Sequence, residues 1–295
     1  MKILLFGKNG QLGWELQRSL APLGALVALD SRAGDLADLD GLARTVAAER
    51  PAVVVNAAAF TAVDRAESEP ERARLLNALA PRALAQACDR AGAWLVHYSS
   101  DYVFDGSGSR PWTEDDTPAP LNVYGATKRE GEQGVAAACA RHLILRTSWV
   151  YAARGANFAR TMLRLAAERT ALDVVDDQVG APTGAELAAD VTAHALRLAL
   201  DAPALAGTYH LAAGGETSWC GYARFVIGQA QAAGMALQAG PDAVRAVASS
   251  AFATAARRPL NSRLATAKLQ RAFGLQLPQW QQPLARTLTE MIQPS

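Results

Sequence analysis

Short runs of apolar residues alternate with longer amphipathic segments through the first half of the chain. The apolar runs lie at residues 3–6, 26–29, 53–55, 94–98 and 142–145. Runs without a regular polar alternation are typical of strands that are covered on both faces. The segments between them, at 11–20, 39–50 and 70–91, have helical spacing. This alternation of strand and helix predicts right-handed crossovers and a doubly wound parallel sheet of the α/β class.

The second half of the chain is less regular. Turn-forming residues crowd 106–120, a proline-bearing loop that we expect to border a cleft. Beyond about residue 150, helical segments mix with short strands, and the segment at 207–211 is expected to return to the main sheet. We therefore predict a dinucleotide-binding domain over 1–150 and a smaller C-terminal domain, mainly for the substrate, over 151–295.

Composition narrows the class of protein. The 295 residues are 50% hydrophobic and 19% charged, which is typical of a globular chain with a sizeable core. The net charge of +1 provides no long-range field to attract nucleic acid or an anionic membrane, so neither is an expected partner. No apolar stretch approaches the ~20 residues of a membrane span, and the N-terminal apolar run is too short for a signal peptide.

The three cysteines, Cys88, Cys139 and Cys220, are far apart and odd in number. They form no CxxC or Cys/His cluster with metal-ligand spacing, which argues against a structural zinc. Scattered thiols of this kind are typical of a reducing compartment. Together with the lack of a targeting segment, they predict a cytoplasmic location.

A glycine-rich loop follows the first predicted strand and opens the first helix. Residues 7–13 read GKNGQLG, with a first gap one residue longer than that of the commoner GxGxxG fingerprint. Glycine lets the chain turn sharply and bring backbone N–H groups against a pyrophosphate, which the helix N-terminus also favours. A Rossmann-like nicotinamide dinucleotide site is predicted, and its residues in this loop are Gly7, Gly10, Gln11, Leu12 and Gly13.

Asp30 ends the second predicted strand, twenty residues after Gly10. An acidic residue at this place is expected to meet the adenosine ribose hydroxyls, although a turn aspartate would look the same. Arg32 is placed to pair with a 2′-phosphate, so the cofactor is NADH or NADPH and the sequence leaves the choice open.

Tyr124 and Lys128 form a YxxxK pair, which lies on one face if the segment is helical. A free phenol has a pKa near ~10, and a neighbouring ammonium lowers it toward neutrality, where proton transfer is efficient. Ser100 follows the fourth strand, at the sheet edge where ligands bind, and its hydroxyl can bind a substrate carbonyl. The pair alone is a common coincidence. After the glycine loop and Ser100, it predicts the proton-transfer site of a nicotinamide-dependent reductase.

With these motifs the chain resembles the extended short-chain dehydrogenase/reductase family, in particular its members that reduce dTDP-linked 4-ketosugars. The matching stretches cover almost the whole chain and lie at 2–20, 56–59, 61–64, 100–104, 146–151, 177–178, 180–184, 258–259 and 261–262. The family's catalytic hydroxyl is often a threonine, and this chain has Ser100 in its place.

The resemblance implies a reaction. Hydride from NAD(P)H reaches the C4 ketone of dTDP-4-dehydro-L-rhamnose and gives dTDP-L-rhamnose, a precursor of cell-surface polysaccharide. Tyr124 is then expected to protonate the forming alkoxide, and Ser100 to bind the carbonyl oxygen. Lys128 is expected to lower the tyrosine pKa and to hold the nicotinamide ribose.

The resemblance also implies that the cofactor site includes Asp35, Leu36, Ala57, Ala58 and Ala59. It further implies that Asp101 and Trp149 touch the sugar. From their own chemistry, Arg257 and Arg258 are candidates to bind the diphosphate, because a bidentate guanidinium suits phosphate. From the residues alone, Trp149 is as readily a core aromatic, and the two arginines are as readily a surface pair.

A cluster of carboxylates is a second candidate site. Glu186 and Asp190 share a helical face, and Glu15 on the first helix is a possible third ligand for Mg²⁺. Some members of the family hold magnesium at a dimer contact, so the resemblance implies a homodimer and a structural magnesium as options. A solvated acidic face is the alternative.

Two other functions compete with a reductase. An epimerase or dehydratase of the same fold would act on another nucleotide sugar, and a dehydratase is expected to have an Asp-Glu pair after the catalytic hydroxyl. Here Ser100 is followed by Asp101 and Tyr102. A non-catalytic regulatory subunit would keep the nucleotide pocket and can lose the tyrosine or the lysine, both of which this chain retains.

Overall fold

The computed structural model describes residues 1–292. The strands are β1 (Lys2–Phe6), β2 (Ala25–Leu29), β3 (Val53–Asn56), β4 (Trp94–Ser100), β5 (His142–Thr147), β6 (Val150–Tyr151), β7 (Leu172–Val175), β8 (Val179–Gly180), β9 (Thr183–Gly184), β10 (Gly207–His210), β11 (Thr217–Ser218) and β12 (Val244–Val247). The helices are α1 (Gln11–Leu20), α2 (Leu39–Glu49), α3 (Val63–Ser68), α4 (Pro70–Arg74), α5 (Ala80–Ala91), α6 (Val123–Ala138), α7 (Phe158–Glu168), α8 (Ala185–Asp201), α9 (Trp219–Ala232), α10 (Ala267–Phe273) and α11 (Gln281–Ile292).

Six strands form the main sheet, in the order β10-β5-β4-β3-β1-β2, and all their pairings are parallel. The predicted doubly wound α/β fold is thereby confirmed. The strand order reverses between β1 and β3, and ligands bind at such a switch point in open parallel sheets. The loops that follow β1 and β3 carry the predicted cofactor residues, so the topology brings both loops to one edge.

The strands are apolar throughout because helices cover both faces of the sheet. Leu4 and Phe6 face a core that includes Leu42 of α2 and Leu84 of α5. The opposite face packs against α1 and also against α8, which supplies buried residues such as Leu196. The segment expected to return to the sheet forms β10 and pairs with β5, with Gly207 opposite Leu143.

A second buried cluster is drawn entirely from residues 151–292. It includes Tyr151, Leu163 of α7, Tyr222 of α9 and Leu288 of α11. The second half of the chain thus has a core of its own and also completes the core of the main sheet. A boundary at residue 150 would separate β5 from β10 and the sheet from α8.

The predicted helix at 70–91 is interrupted once. Residues Leu75–Leu79 form a π turn between α4 and α5, which leaves Asn77 fully buried. The three cysteines are buried and free. Within residues 1–292, no helix is both long and apolar enough to cross a membrane.

Candidate active site

The glycine loop is packed too tightly for side chains. Gly7 has φ +85°, and a Cβ there would lie 2.8 Å from the Ala58 backbone nitrogen. A Cβ on Gly13 would lie 2.0 Å from the Gly7 carbonyl oxygen. Gly10, before α1, provides no side-chain cap, so the N–H groups of the first helical turn are available to an anion. The residues present therefore fit the pyrophosphate of a dinucleotide, and Gln11 and Leu12 lie in that first turn.

Asp30 lies beside this loop at the end of β2. Its Oδ1 accepts hydrogen bonds from the backbone N–H groups of Arg32, at 3.0 Å, and Ala33, at 3.1 Å, which lower the carboxyl pKa. Lys8 lies 3.4 Å from its Oδ2. An ionised carboxylate at this edge suits ribose hydroxyls, while Arg32 is exposed and adjacent, so the choice of cofactor stays open.

Other predicted cofactor residues lie close by. Ala57 donates its N–H to the Phe6 carbonyl at 3.1 Å, which fixes the small residues after β3 beside the end of β1. Asp35 is exposed and accepts a hydrogen bond from the Ala37 N–H, whereas the Leu36 side chain is buried in the same core cluster as Phe6. Leu36 therefore has only its backbone to offer a ligand.

Ser100 and Tyr124 meet at the carboxyl end of β4. The Ser100 hydroxyl accepts a hydrogen bond from the Tyr102 N–H at 3.1 Å and donates to Asp101 Oδ1 at 2.9 Å. Ser100 also acts to lower the pKa of the neighbouring Tyr124 phenol. A Cβ on Gly125 would lie 2.1 Å from the Tyr102 carbonyl oxygen, so glycine at this position allows α6 to approach the turn after β4.

Burial governs the protonation of both α6 residues. It raises the pKa of Tyr124 to about 12, against an opposing effect of the Ser100 hydroxyl, and lowers the pKa of Lys128 to about 8. The Lys128 ammonium donates to the Tyr98 carbonyl at 2.5 Å. Desolvation dominates the pKa of the phenol in this structure, and the lowering of that pKa by Lys128 stays a prediction. A phenol with this pKa keeps its proton at neutral pH and can act as an acid.

Asp101 is a buried carboxyl beside the two hydroxyls. Burial raises its pKa to about 6. Its Oδ2 is buried and has no hydrogen-bond partner among residues 1–292. Such an orphaned acceptor is costly unless a ligand or water satisfies it, which suits the predicted contact with the substrate.

A cavity of about 1130 Å³ opens between the loop after β4 and the second core. Its lining includes Asp105, Phe158, Trp219 and Arg258. Trp149 lies behind this lining, stacked on Trp219 with ring centroids 3.7 Å apart. Its backbone has φ +49°, an uncommon conformation for a bulky residue and one often found at functional sites.

Arg258 is held in the cavity wall by Asp64 of α3. Its guanidinium donates to both carboxylate oxygens, at 3.0 and 2.6 Å, and Asp64 also accepts from the Ala256 N–H. Asn122 ties the same segment to α6, since it caps the helix at the Gly125 N–H and donates to the Arg257 carbonyl. Our sequence interpretation assigned no role to Asp64 or Asn122, although Asp64 lies in one of the matching stretches.

The predicted magnesium ligands are occupied by an arginine. Arg18 lies 3.7 Å from Glu15, 3.9 Å from Glu186 and 2.8 Å from Asp190, and Arg286 also pairs with Glu186. In residues 1–292, no group of three or more acidic, histidine or cysteine side chains is placed to hold a metal ion. In this single chain the three carboxylates therefore form an ion-pair cluster with Arg18 and Arg286, and magnesium at a dimer contact stays a prediction.

Known proteins match this chain over nearly its full length. The profile of the family described as RmlD substrate binding domain matches residues 1–293. The dTDP-4-dehydrorhamnose reductase of Salmonella typhimurium is 58% identical over 99% of this chain and 98% of its own, and that of Escherichia coli K12 is 56% identical over the same shares. A crystal structure of dTDP-4-dehydrorhamnose reductase from Bacillus anthracis, in complex with NADP, is 35% identical, with a TM-score of 0.88 over 98% of this chain and 99% of that one. The chain therefore belongs to the RmlD family of dTDP-4-dehydrorhamnose reductases, within the short-chain dehydrogenase/reductase fold.

Proposed function

We propose that this protein reduces the C4 ketone of dTDP-4-dehydro-L-rhamnose to dTDP-L-rhamnose with NADH or NADPH, for the synthesis of cell-surface polysaccharide precursors. One observation carries the proposal. Ser100, Tyr124 and Lys128 converge at the carboxyl edge of the sheet, beside a glycine loop that fits a dinucleotide. The family to which the chain belongs supplies the identity of the sugar nucleotide.

The site residues divide the reaction between them. NAD(P)H, when bound, supplies the hydride. Ser100 orients the ketone oxygen, and Tyr124 delivers its phenolic proton to that oxygen as negative charge develops on it. Lys128, buried one turn along α6, stabilises the phenolate that remains. Asp101, with its free Oδ2, accepts a hydrogen bond from a sugar hydroxyl.

The cavity suits the nucleotide half of the substrate. Its aromatic residues, Phe158 and Trp219, offer surfaces on which a base packs. Arg258 presents a guanidinium to the diphosphate while Asp64 keeps it in the wall. The volume of about 1130 Å³ is in the range of a large ligand site.

The two competing functions, a dehydratase and a non-catalytic regulatory subunit, have less support. A dehydratase is expected to have an acidic pair after the catalytic hydroxyl, and here Asp101 is followed by Tyr102. A regulatory subunit has no need of a half-buried tyrosine and a buried lysine beside an orphaned carboxylate oxygen. No step of the proposed reaction uses a metal.

A cytoplasmic location and a homodimer belong to the same proposal. Three buried thiols without a disulfide suit a reducing compartment. Sedimentation velocity of the purified protein at several concentrations tests the homodimer, and a single monomer-sized species would contradict it.

A substrate assay tests the proposed reaction. Purified protein should oxidise NADH or NADPH when dTDP-4-dehydro-L-rhamnose is supplied, as followed by the absorbance of the reduced nicotinamide. We expect Tyr124→Phe to lower kcat by about 10²–10⁴-fold, because it removes the acid, with little change in cofactor affinity. The neighbouring Tyr102, 5.6 Å from Tyr124 between ring centroids, is the matched control, and Tyr102→Phe should retain most of the turnover. Absence of nicotinamide oxidation, or strong preference for another ketosugar, would refute the reaction.

A further inference from the structure

A buried ion pair lies one helical turn beyond Lys128. The Glu132 and Arg146 side chains are only 2% and 4% exposed. Arg146, on β5, donates from Nε to Glu132 Oε1 at 2.7 Å and from Nη2 to Oε2 at 2.8 Å. Arg129, which is partly exposed, adds a contact to Oε2 at 3.0 Å. The Glu132 carboxylate is therefore fully engaged and held as an anion.

The pair shares its surroundings with the catalytic lysine. Lys128 and Glu132 are separated by four residues on α6, a spacing that makes their side chains neighbours on one face of the helix. Glu132 raises the pKa of Lys128, against the larger lowering by burial. Lys128 is 2% exposed, and its ammonium donates a hydrogen bond to a neutral backbone carbonyl.

The other titratable groups that face this region offer the ammonium little compensation. His97 of β4 is near Lys128, and burial lowers its pKa well below the usual range, so it is neutral. His210 lies 3.4 Å from Arg146 and has a pKa near 3, again mainly through burial. Tyr124 keeps its proton, and Asp101, beyond it, has a pKa of about 6.

The balance of charge depends on Glu132. A buried arginine–glutamate pair contributes little stability compared with apolar residues of the same size. A guanidinium keeps its proton in proteins, whereas a buried lysine ammonium can lose it. If Glu132 were neutral, two cations would share a dry region, and Lys128 is the one that would discharge.

We propose that Glu132 is a positioning residue for the reaction: its carboxylate, which Arg146 holds in place, keeps Lys128 in its ammonium form beside Tyr124. The catalytic value of this arrangement rests on the proposed function, because the ammonium is what stabilises the phenolate after proton transfer. The charge coupling itself is a property of the folded protein and can be measured without substrate.

Lysine-selective NMR gives the direct test. The chain has four lysines, so ¹³C-lysine labelling yields few signals, and Lys128→Met identifies the buried one. We expect Glu132→Gln to lower the pKa of Lys128 by about one unit or more and Arg146→Met to raise it, since an adjacent charge has effects of this size. The double variant should return the pKa to near the wild-type value. If Glu132 had only a structural role, the two substitutions would not shift the Lys128 pKa in opposite directions.

Glu130→Gln is the matched control. Glu130 is on the same helix but pairs with Arg74 at the surface, so removing its charge should leave the Lys128 titration unchanged. If Glu132→Gln does not fold, Arg146→Met is compared with the double variant, because these two proteins differ only in the Glu132 charge. Lys128 should then have the higher pKa in Arg146→Met. Shifts in the same direction, or equal pKa values in these two proteins, would overturn the proposal.

Steady-state kinetics test the role of Glu132 separately from the proposed reduction of the dTDP-ketosugar. In an active enzyme, the alkaline limb of the kcat–pH profile should shift to lower pH in Glu132→Gln and to higher pH in Arg146→Met. A wild-type protein that is inactive with the dTDP-ketosugar would refute the reaction and leave the NMR result standing. An active wild type whose variants keep the alkaline limb in place would refute the role of Glu132 in catalysis.

Discussion

The carboxyl group of Asp101 destabilises the folded protein when it is ionised, because it is buried. Its carboxyl is buried, and only one oxygen has a partner among the described residues. Burial disfavours the charged form, which raises the pKa from its ordinary value of 3.8 to about 6. The stabilising contribution of this group is therefore fully present below about pH 3.8 and is lost as the pH rises through about 6.

We predict that Asp101→Asn is more stable than the wild type at pH 7 and that this advantage shrinks toward pH 4. The difference between the two pH values should be on the order of 2–3 kcal/mol, since one pKa unit corresponds to about 1.4 kcal/mol. Thermal unfolding of both proteins at pH 4 and pH 7 measures it. Asp105→Asn should give the opposite sign, because the Ser107 N–H lowers the pKa of Asp105. An advantage of Asp101→Asn that does not change with pH would contradict the assignment.

The protonation states at this site depend on residues far apart in the sequence. The YxxxK spacing predicts that Tyr124 and Lys128 are neighbours, and both lie on α6. It does not predict that desolvation raises the phenol pKa, because the residues that partly bury Tyr124, such as Phe60 and Tyr102, lie outside α6. The pKa of Lys128 similarly depends on its burial against β4, where its ammonium donates to the Tyr98 carbonyl. A motif therefore identifies the reacting groups, whereas the tertiary structure determines their acidity.

At the scale of elements, the π turn between α4 and α5 connects the cofactor edge to the catalytic helix. Asn77 accepts a hydrogen bond from the Phe60 N–H at 2.8 Å and donates to the Phe60 carbonyl at 3.0 Å and to Thr127 Oγ1 at 3.2 Å. Phe60 directly follows Ala57–Ala59, and Thr127 directly precedes Lys128. The buried Asn77 amide therefore fixes the loop after β3 relative to α6.

We predict that Asn77→Ala lowers the free energy of unfolding by about 2–4 kcal/mol, because it leaves the Phe60 backbone groups buried and unpaired. Cofactor affinity should fall as well, since the loop after β3 loses its anchor. Urea denaturation and a cofactor titration measure the two effects. Gln86→Ala, at an exposed position of α5, should change stability by no more than about 0.5 kcal/mol. Equal unfolding midpoints for Asn77→Ala and the wild type would contradict this role.

The strands and helices were largely predictable from the sequence, but the π turn and the ion pairs between helices were not. Apolar runs with intervening helical spacing are sufficient to indicate buried parallel strands, and five of the six strands of the main sheet follow them. The π turn leaves no mark in the spacing of residues 70–91, since its cause is the contact of Asn77 with Phe60. The carboxylates of Glu186 and Asp190 share a face as predicted, but spacing along one helix cannot reveal that Arg18 of another helix neutralises them.

At the scale of the whole molecule, the two halves of the chain complete one another. The main sheet ends in β10, and one of its faces is covered in part by α8 and by residues up to Leu277. Without them, β5 would be an unpaired edge strand and a large apolar face would meet water. Exposed edges and faces of this kind favour aggregation.

We therefore predict that a fragment of residues 1–150 does not fold by itself, although it contains the glycine loop, Ser100, Tyr124 and Lys128. Expressed alone, it should aggregate or unfold without a cooperative transition, as seen by circular dichroism during heating. Co-expression with residues 151–295 should restore a soluble complex, because β10 and α8 can then pack onto the sheet. A fragment 1–150 that unfolds cooperatively by itself and binds the cofactor would show that the first half is an autonomous domain. The contacts of β10 and α8 would then add to its stability without being required for its fold.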